Sequence, residues 1–596
     1  MSKRKIYKSV FLALLACVFV LFPRNDAQAD ENPTTGKWVE PQKAEKPTGN
    51  LKGENKLVVP NADMKAAEES EPKFRLYMPV IGGDAEIVAP LKTWKDFKEF
   101  LTFNSVTRTY INNFKATLTK ELQQKGYVFA YIQIPEKMWD SGICMVIIDC
   151  GPLGDITVKG SKNYSAKQII RSLQNQEGKF NYNTVYSDLF DLNAQADLKV
   201  DTRFHPSIRN GRRVVDAELQ VEDKIPIHGS MELSNSGSKE SNEIRLRTTL
   251  QHYNLTKHND VLTVDWLTGG DIGETLNSFN GNYYIPFGYD WTFGAYVGYN
   301  QSEYDNVLPE IDVNGKGYYY GFQLSKIIKE DIRNRWQVTA GWNFAKTENR
   351  LGLSDDDIDK RAVATSMPFV TLGYSSKVFD SYYGRNYASV TLTKNFAGKY
   401  GSSESEVFTT DDNLNCDGDC FLTKIQLARL QKLYSSDQNA PGKWTLFAKA
   451  DAQIADGTVP SSIRSYLGGF NSVRGYSESE IGGDDSFVAT LELRTPLLEN
   501  FIPKLKKDKK FIEENPKYWG LHRLQFVAFT DFGYVKNEDP LADDLDDQTM
   551  LSAGVGLRMA LTRYSQCSVD YGYPFIDASE DTPNDGRFHL SLQLQF

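Results

Sequence analysis

The chain closes on ten residues, RFHLSLQLQF (587–596), that alternate without a break. Phe588, Leu590, Leu592, Leu594 and Phe596 share one face, and His589, Ser591, Gln593 and Gln595 share the other. A strand of period two with one wholly apolar face must remove that face from water. Two architectures do this: a soluble sandwich, or a membrane barrel with lipid outside and a polar lumen. The companions of this strand favour the barrel. Strand-like segments recur near 226–236, 241–254, 260–268, 278–288, 290–303, 315–329, 333–348, 367–379, 381–396, 423–436, 442–455, 486–497, 521–535, 549–562, 563–575 and 586–596, sixteen in all. An even number suits a bacterial outer-membrane barrel, and closure removes sheet edges that hydrocarbon does not tolerate.

The connections carry the same message. Short turns such as Phe287-Gly288-Tyr289-Asp290, 329–334 and Asp380-Ser381 interleave with long polar ones at 304–314, 349–366, 397–422, 456–485, 536–548 and 576–585. Short periplasmic turns and long external loops are the usual asymmetry. The connection 498–520 breaks it, being long and charged where a short turn is expected.

The start of the chain directs it out of the cytoplasm. Lys3, Arg4, Lys5 and Lys8 precede an apolar run, Val10 to Phe22, and Ala27-Gln28-Ala29 follows as a small-x-small site. Charge, apolar core and cleavage site in that order read as a signal peptide over 1–29. Leu14-Leu15-Ala16-Cys17 also resembles a lipobox, but cleavage there would leave Val18 to Phe22 as an apolar start. After residue 30 no apolar run approaches the roughly 20 residues of a spanning helix. A mean hydropathy of -0.46 is compatible with a barrel, whose strands are only half apolar. The 31 Tyr, 33 Phe and 44 Gly suit aromatic girdles and tight turns, and a net charge of -10 argues against nucleic-acid binding.

Residues 30–72 are rich in Pro, Lys, Glu, Asn and Gly and read as a linker, with NADMKAAEES as a short, weakly amphipathic stretch. Residues 73–152 and 153–224 read as two α+β units in series. In the first, Ile111, Phe114, Leu118 and Leu122 mark one face of a helix over 106–125, with Gly126 at its end and strands over 128–134 and 143–150. In the second, a strand at 155–159 precedes a helix capped by Ser165, a helix over 184–196, and strands over 198–204 and 213–221. Strand-helix-helix-strand-strand is the order of a polypeptide-transport-associated (POTRA) domain, which holds extended chains by strand addition. Two generic α+β domains are the plainer alternative. The barrel occupies 225–596.

Six cysteines are Cys17, Cys144, Cys150, Cys416, Cys420 and Cys567. Cys144 and Cys150 share one strand, about 20 Å apart at about 3.3 Å per residue, too far to bridge. Cys416 and Cys420 could close a small loop disulfide. Asp411, Asp412, Asp417 and Asp419 beside them permit a calcium reading or a solvated loop. The six histidines form no HExxH pair or ligand cluster, and there is no GxSxG elbow or phosphate-binding glycine loop. No metal, cofactor, small-molecule substrate or enzyme activity is expected.

The remaining signal lies in SYLGGFNSVRGYSESE within the sixth external loop, 456–485. Val473-Arg474-Gly475-Tyr476 sits in a glycine-rich run, and the strand FVAFTDFGYV places Phe529, Asp531 and Gly533 on one face. If that face is inward, Asp531 can accept a charge-assisted bond from Arg474, with Gly475 allowing a reversal and Tyr476 packing on the wall. A solvated arginine on an external loop is the alternative.

Taken together, Val473-Arg474-Gly475-Tyr476, Phe529-x-Asp531-x-Gly533, the terminal phenylalanine and the two POTRA-like units resemble the TpsB transporters of two-partner secretion, the ShlB/FhaC/HecB family. LQQKGYVFAYIQIPEKMWDSG and GPLGDITVKG are similar to its first POTRA domain and the passage into the second. The resemblance covers about 73–596. It implies an outer-membrane translocator of a diderm bacterium, with POTRA domains in the periplasm that capture an unfolded secreted exoprotein of the hemolysin, adhesin or contact-dependent toxin type. It also implies a loop-six arginine anchored to a wall aspartate, here Arg474 and Asp531. The C-terminal row ending in Phe596 resembles the signal read by the barrel assembly machinery. Family members often begin with a helix that plugs the barrel. BamA- and TamA-like insertases share the arginine motif and are the alternative, although they usually carry more than two POTRA units.

Overall fold

A computed structural model describes residues 71–499 and 521–595, apart from 174–177, 194, 196, 239–241, 271–275, 289, 309–310, 332, 354–355, 413–414, 435–440, 541–544, 563 and 578–584. The expected signal peptide over 1–29, residues 30–70 of the expected linker with the NADMKAAEES stretch, most of the 498–520 connection, and Phe596 lie outside the described residues. The chain divides into two compact units at Ile225 and Pro226.

The N-terminal unit holds two sheets, each with its own helices and core. In the first, strand Met78–Gly83 runs parallel to Ile143–Asp149, which pairs antiparallel with Tyr131–Gln133. Helices Lys92–Phe103 and Arg108–Gln124 bury Trp94, Phe97, Ile111, Phe114, Leu118 and Leu122 against Val146 and Ile148. The spacing of those apolar positions puts them on one helical stripe, which is why the segment is helical and why it faces the sheet. The Thr107 hydroxyl accepts from the Tyr110 N–H at 3.1 Å and caps the second helix. The second sheet has the order Leu153–Lys159, Arg212–Asp223, Leu198–Arg209, so Leu198–Arg209 is an edge strand. Its helices are Ala166–Arg171, capped by Ser165, and Tyr182–Asn193. The second half thus has the strand-helix-helix-strand-strand order, and the first has it with two added helical turns, Ala85–Val88 and Glu136–Ser141.

One sequence expectation fails here for a physical reason. A strand over 128–134 shrinks to Tyr131–Gln133, because Val128 and Phe129 turn away to pack in the second core. The two halves are joined at this point. Gly126, with φ +95°, ends the helix, and a Cβ there would lie 2.2 Å from Asn181 Oδ1. The Asn181 amide donates to the Lys125 carbonyl at 3.0 Å, and Lys179 meets the buried Asp84 at 2.7 Å.

The second unit is a closed barrel in which each of sixteen strands pairs antiparallel with its neighbours in the chain. It opens with Ile227–Ser234, Arg245–His252, Val261–Gly269 and Leu276–Phe287. Four long strands follow, Trp291–Leu308, Ile311–Glu330, Asn334–Leu353 and Asp356–Ser376, and then Gly384–Asn395, Cys420–Tyr434 and Pro441–Ala455. The next strand is Asp485–Arg494, resumed at Leu498–Glu499 after Pro496, and the wall ends with Arg523–Lys536, Asp547–Thr562, Ser565–Pro574 and Arg587–Gln595. The last strand closes on the first from Ser591↔Ser234 to Gln595↔Ser230. On it, Phe588, Leu590 and Leu594 point outward and are exposed, while His589 and Gln593 are buried on the inner side. This is the alternation that lipid outside and a polar lumen impose.

The expected external loops at 304–314 and 349–366 are mostly strand. The ladder continues to Leu308↔Ile311 and Leu353↔Asp356. Beyond the bilayer both faces of a sheet meet water, so the period-two signal disappears although the backbone pairing does not. Among the described residues, no helix is long and apolar enough to cross a membrane.

Candidate functional site: the loop-six anchor

The sixth external loop starts after Ala455 and returns at Asp485. A short hairpin, Ser465–Leu467 with Ile481–Gly483, forms its neck. The tip reverses through Gly468, Gly469 and Gly475, at φ +113°, +92° and +96°, where a side chain would be strained. The base is fixed from above. Asp484 accepts from the Val459 and Glu538 amides at 3.0 Å each, and Asp412 in the 397–422 connection accepts from the Ser461 amide at 2.8 Å.

The tip turns inward and buries Arg474, which is 6% exposed. The guanidinium forms a fork on Asp531: Nε donates to Oδ2 at 2.7 Å and Nη2 to Oδ1 at 2.9 Å. The Arg474 backbone N–H adds a bond to Oδ2 at 3.1 Å. Nη1 reaches Glu492 at 2.8 Å and Asp570 at 3.4 Å, and the guanidinium carbon lies 3.5 Å from the Phe529 ring centroid. Phe529 therefore supplies a π face under the cation, while three carboxylates surround its edge. Two of these have further cations: Arg494 donates to Glu492 at 2.9 and 2.5 Å, and Arg558 to Asp570 at 2.5 and 2.9 Å.

The flanking motif residues make room for this geometry. Val473 packs with Leu467, Tyr476, Ile481, Val535 and Met550. A Cβ on Gly533 would stand 2.7 Å from the Val473 side chain, so only glycine admits Val473 there. The Gly475 N–H donates to His589 Nε2 at 2.9 Å. A Cβ on Gly475 would stand 2.8 Å from the Gly572 carbonyl carbon, so loop and strand touch backbone to backbone. The Tyr476 hydroxyl lies 3.0 and 2.7 Å from the Leu551 and Ile576 carbonyl oxygens and accepts from the Leu551 N–H at 3.1 Å.

The structure thus brings Arg474, Phe529 and Asp531 together. It adds three partners absent from the sequence reading: Glu492, Asp570 and His589. What makes them partners is the inward register, which only the strand pairing reveals. Thr490 pairs with Asp531, which puts Glu492 on the inward row of its strand, and Asp570 pairs with His589 on the last two strands. Gly556 is the other trace, since a Cβ there would overlap Asp570 Oδ1 at 1.8 Å.

Cys416 and Cys420, which could close a loop disulfide, are not bridged here. Both are free, buried thiols in different apolar clusters, Cys416 with Val363 and Phe408 and Cys420 with Leu422 and Val459. Burial pushes the Cys416 thiol up to about 12. Cys144 and Cys150 are likewise free and buried. Among the described residues no group of three or more His, Cys, Asp or Glu is arranged to hold a metal ion.

Residues 214–559 match the family profile described as haemolysin secretion/activation protein ShlB/FhaC/HecB. The chain is 20% identical over 514 residues to the heme/hemopexin transporter protein HuxB of Haemophilus influenzae strain 86-028NP, covering 82% of each. The solved structure of CdiB from Escherichia coli is similar with a TM-score of 0.71 at 17% identity, over 90% of this chain and 93% of that one. CdiB from Acinetobacter baumannii gives 0.65 at 15% identity, over 100% and 98%. At these identities the structural likeness is one of fold.

Proposed function

This chain belongs to the haemolysin secretion/activation family ShlB/FhaC/HecB, outer-membrane transporters of two-partner secretion, and from that premise we propose that Arg474 latches loop six inside the barrel in the resting transporter. The protein acts in the outer membrane, with its α+β domains in the periplasm, and moves a secreted partner of the TpsA type. The observation that carries the latch is the burial of Arg474 among Asp531, Glu492 and Asp570.

The parts divide the work as follows. The unfolded partner reaches the periplasmic domains, where the edge strand Leu198–Arg209 offers backbone donors and acceptors to an extended chain. Pro206 interrupts that edge because it has no N–H. An unfolded partner buries little side-chain area, so backbone pairing is a suitable grip. The chain then passes through the lumen of the barrel that the anchored loop braces. No covalent chemistry is involved. Folding of the partner outside supplies direction, since the folded form does not re-enter. The outward apolar row Phe588, Leu590, Leu592 and Leu594 faces outer-membrane lipid, and with Phe596 it is the segment read by the barrel assembly machinery.

The test pairs proteomes of culture supernatant and outer membrane, with the wild-type gene, without it, and with Arg474→Ala. Deletion removes one large exoprotein from the supernatant and leaves other barrels unchanged. Arg474→Ala is present in the outer membrane at wild-type level but exports sharply less. Wild-type export from that variant defeats the latch. Depletion of many barrels on deletion, with no single exoprotein lost, favours an insertase.

A further inference from the structure

The latch has a second hold that Arg474 does not explain. Gly475 N–H points at His589 Nε2 from 2.9 Å, and a backbone N–H only donates. Nε2 must therefore carry its lone pair, which fixes the ring as neutral with its proton on Nδ1. The ring is fully buried, and Nδ1 has no hydrogen-bond partner among the described residues. Phe470, also on the loop, stands edge-on to the ring at 6.0 Å between centroids. Two groups of the tip thus depend on this one imidazole, on the strand that closes the barrel.

We propose that His589 is a positioning residue for loop six: its neutral imidazole holds the tip at Gly475, and its protonation releases the tip. This rests on the latch reading above. A protonated ring would turn an N–H toward the Gly475 N–H, and two donors cannot share that 2.9 Å contact. The charged groups around the ring are Arg474 on the loop, Asp570 on the paired strand and Arg587 on its own strand. Arg558 engages Asp570, and Glu232 on the first strand engages Ser591, two residues along. Asp570 would favour an imidazolium. It is already committed to Arg558 and Arg474, whose charges oppose one.

The sign follows from linkage. The docked state requires the unprotonated ring, and release permits a proton, so docking is fully favoured above the released-state pKa and weakens below it. With an ordinary imidazole pKa of about 6.5, the docking equilibrium falls about tenfold between about pH 7.5 and about pH 5.5.

The experiment measures amide hydrogen exchange of a peptide spanning 470–480 in the full-length protein in a membrane mimic, corrected for the intrinsic pH dependence of exchange. Wild-type protection should fall about tenfold over that interval. His589→Gln keeps an acceptor that does not titrate, so it should be protected at both pH values. His589→Ala should be poorly protected at both. A wild-type acid response in His589→Gln, or wild-type protection in His589→Ala, overturns the proposal. Arg474→Ala separates the two ideas. If it alone loses protection, the latch stands and the His589 role falls. If it keeps protection, the latch itself falls.

Discussion

Replacing Arg474 by lysine keeps the charge of loop six and removes its shape. The native side chain spreads four donor contacts over three carboxylates: 2.7 and 2.9 Å to Asp531, 2.8 Å to Glu492 and 3.4 Å to Asp570. Glu492 and Asp570 retain Arg494 and Arg558 when Arg474 changes. Asp531 is fully buried, and among the described residues its only donors belong to Arg474. A lysine ammonium donates from a single point and cannot reproduce the parallel pair. Losing one of two charge-assisted bonds removes about 2–3 kcal/mol. That is roughly a 30- to 140-fold weaker docking equilibrium at about 1.4 kcal/mol per tenfold. Alanine leaves Asp531 with a lone backbone N–H and costs about 3–5 kcal/mol. Exchange protection of 470–480 should therefore rank arginine above lysine above alanine, and export should follow the same order. Wild-type protection in Arg474→Lys would refute the argument, since charge alone would then suffice.

Three further outcomes are expected. Valine at Gly572 places its Cβ 2.6 Å from the Gly475 nitrogen, so Gly572→Val should expose loop six in an assembled barrel, whereas Gly281→Ala, whose nearest neighbour would be 3.6 Å away, should be neutral by the same assay. Asp223 accepts the Lys162, Asn163 and Tyr164 amides at 2.8, 2.5 and 2.9 Å; burial raises its pKa, but these bonds outweigh it and the net shift is down from 3.8. Its stabilisation is thus present above 3.8 and lost as pH falls below, so Asp223→Asn should lower protection of 161–165 at neutral pH by roughly 1 kcal/mol and erase the acid dependence. Alkylation of the denatured protein should modify Cys144, Cys150, Cys416, Cys420 and Cys567 equally with and without reductant; a reductant-dependent mass gain would contradict the unbridged pair.

Much of the barrel could be read directly from the chain because lipid and lumen impose period two on each strand within the bilayer. The signal faded where that constraint ends, in the upper parts of Trp291–Leu308 through Asp356–Ser376, which continue as ladder with water on both sides. In the N-terminal unit, Met78–Gly83 was not read because MPVIGG is short and does not alternate. Helix Lys92–Phe103 was missed although Trp94, Phe97 and Leu101 carry a helical spacing. At the anchor, Arg474 and Asp531 stood out because motif and face coincided. Glu492, Asp570 and His589 acquire their meaning only from strand register, which places residues 18, 96 and 114 positions from their loop partners at bonding distance. No local pattern contains that information.

The wall side chains that bond Arg474 and Gly475 all come later in the chain than the tip itself. Glu492, Asp531, Asp570 and His589 are made after Arg474 and Gly475, and His589 belongs to the final strand. Neighbouring hairpins can form as the chain arrives, since they close short loops, whereas the seam joins strands separated by almost the whole barrel. A truncated chain could build several hairpins, but it could not seat the tip against a strand it lacks. The seated loop therefore certifies a finished product: during biogenesis it can be fastened only after the last strand has been added.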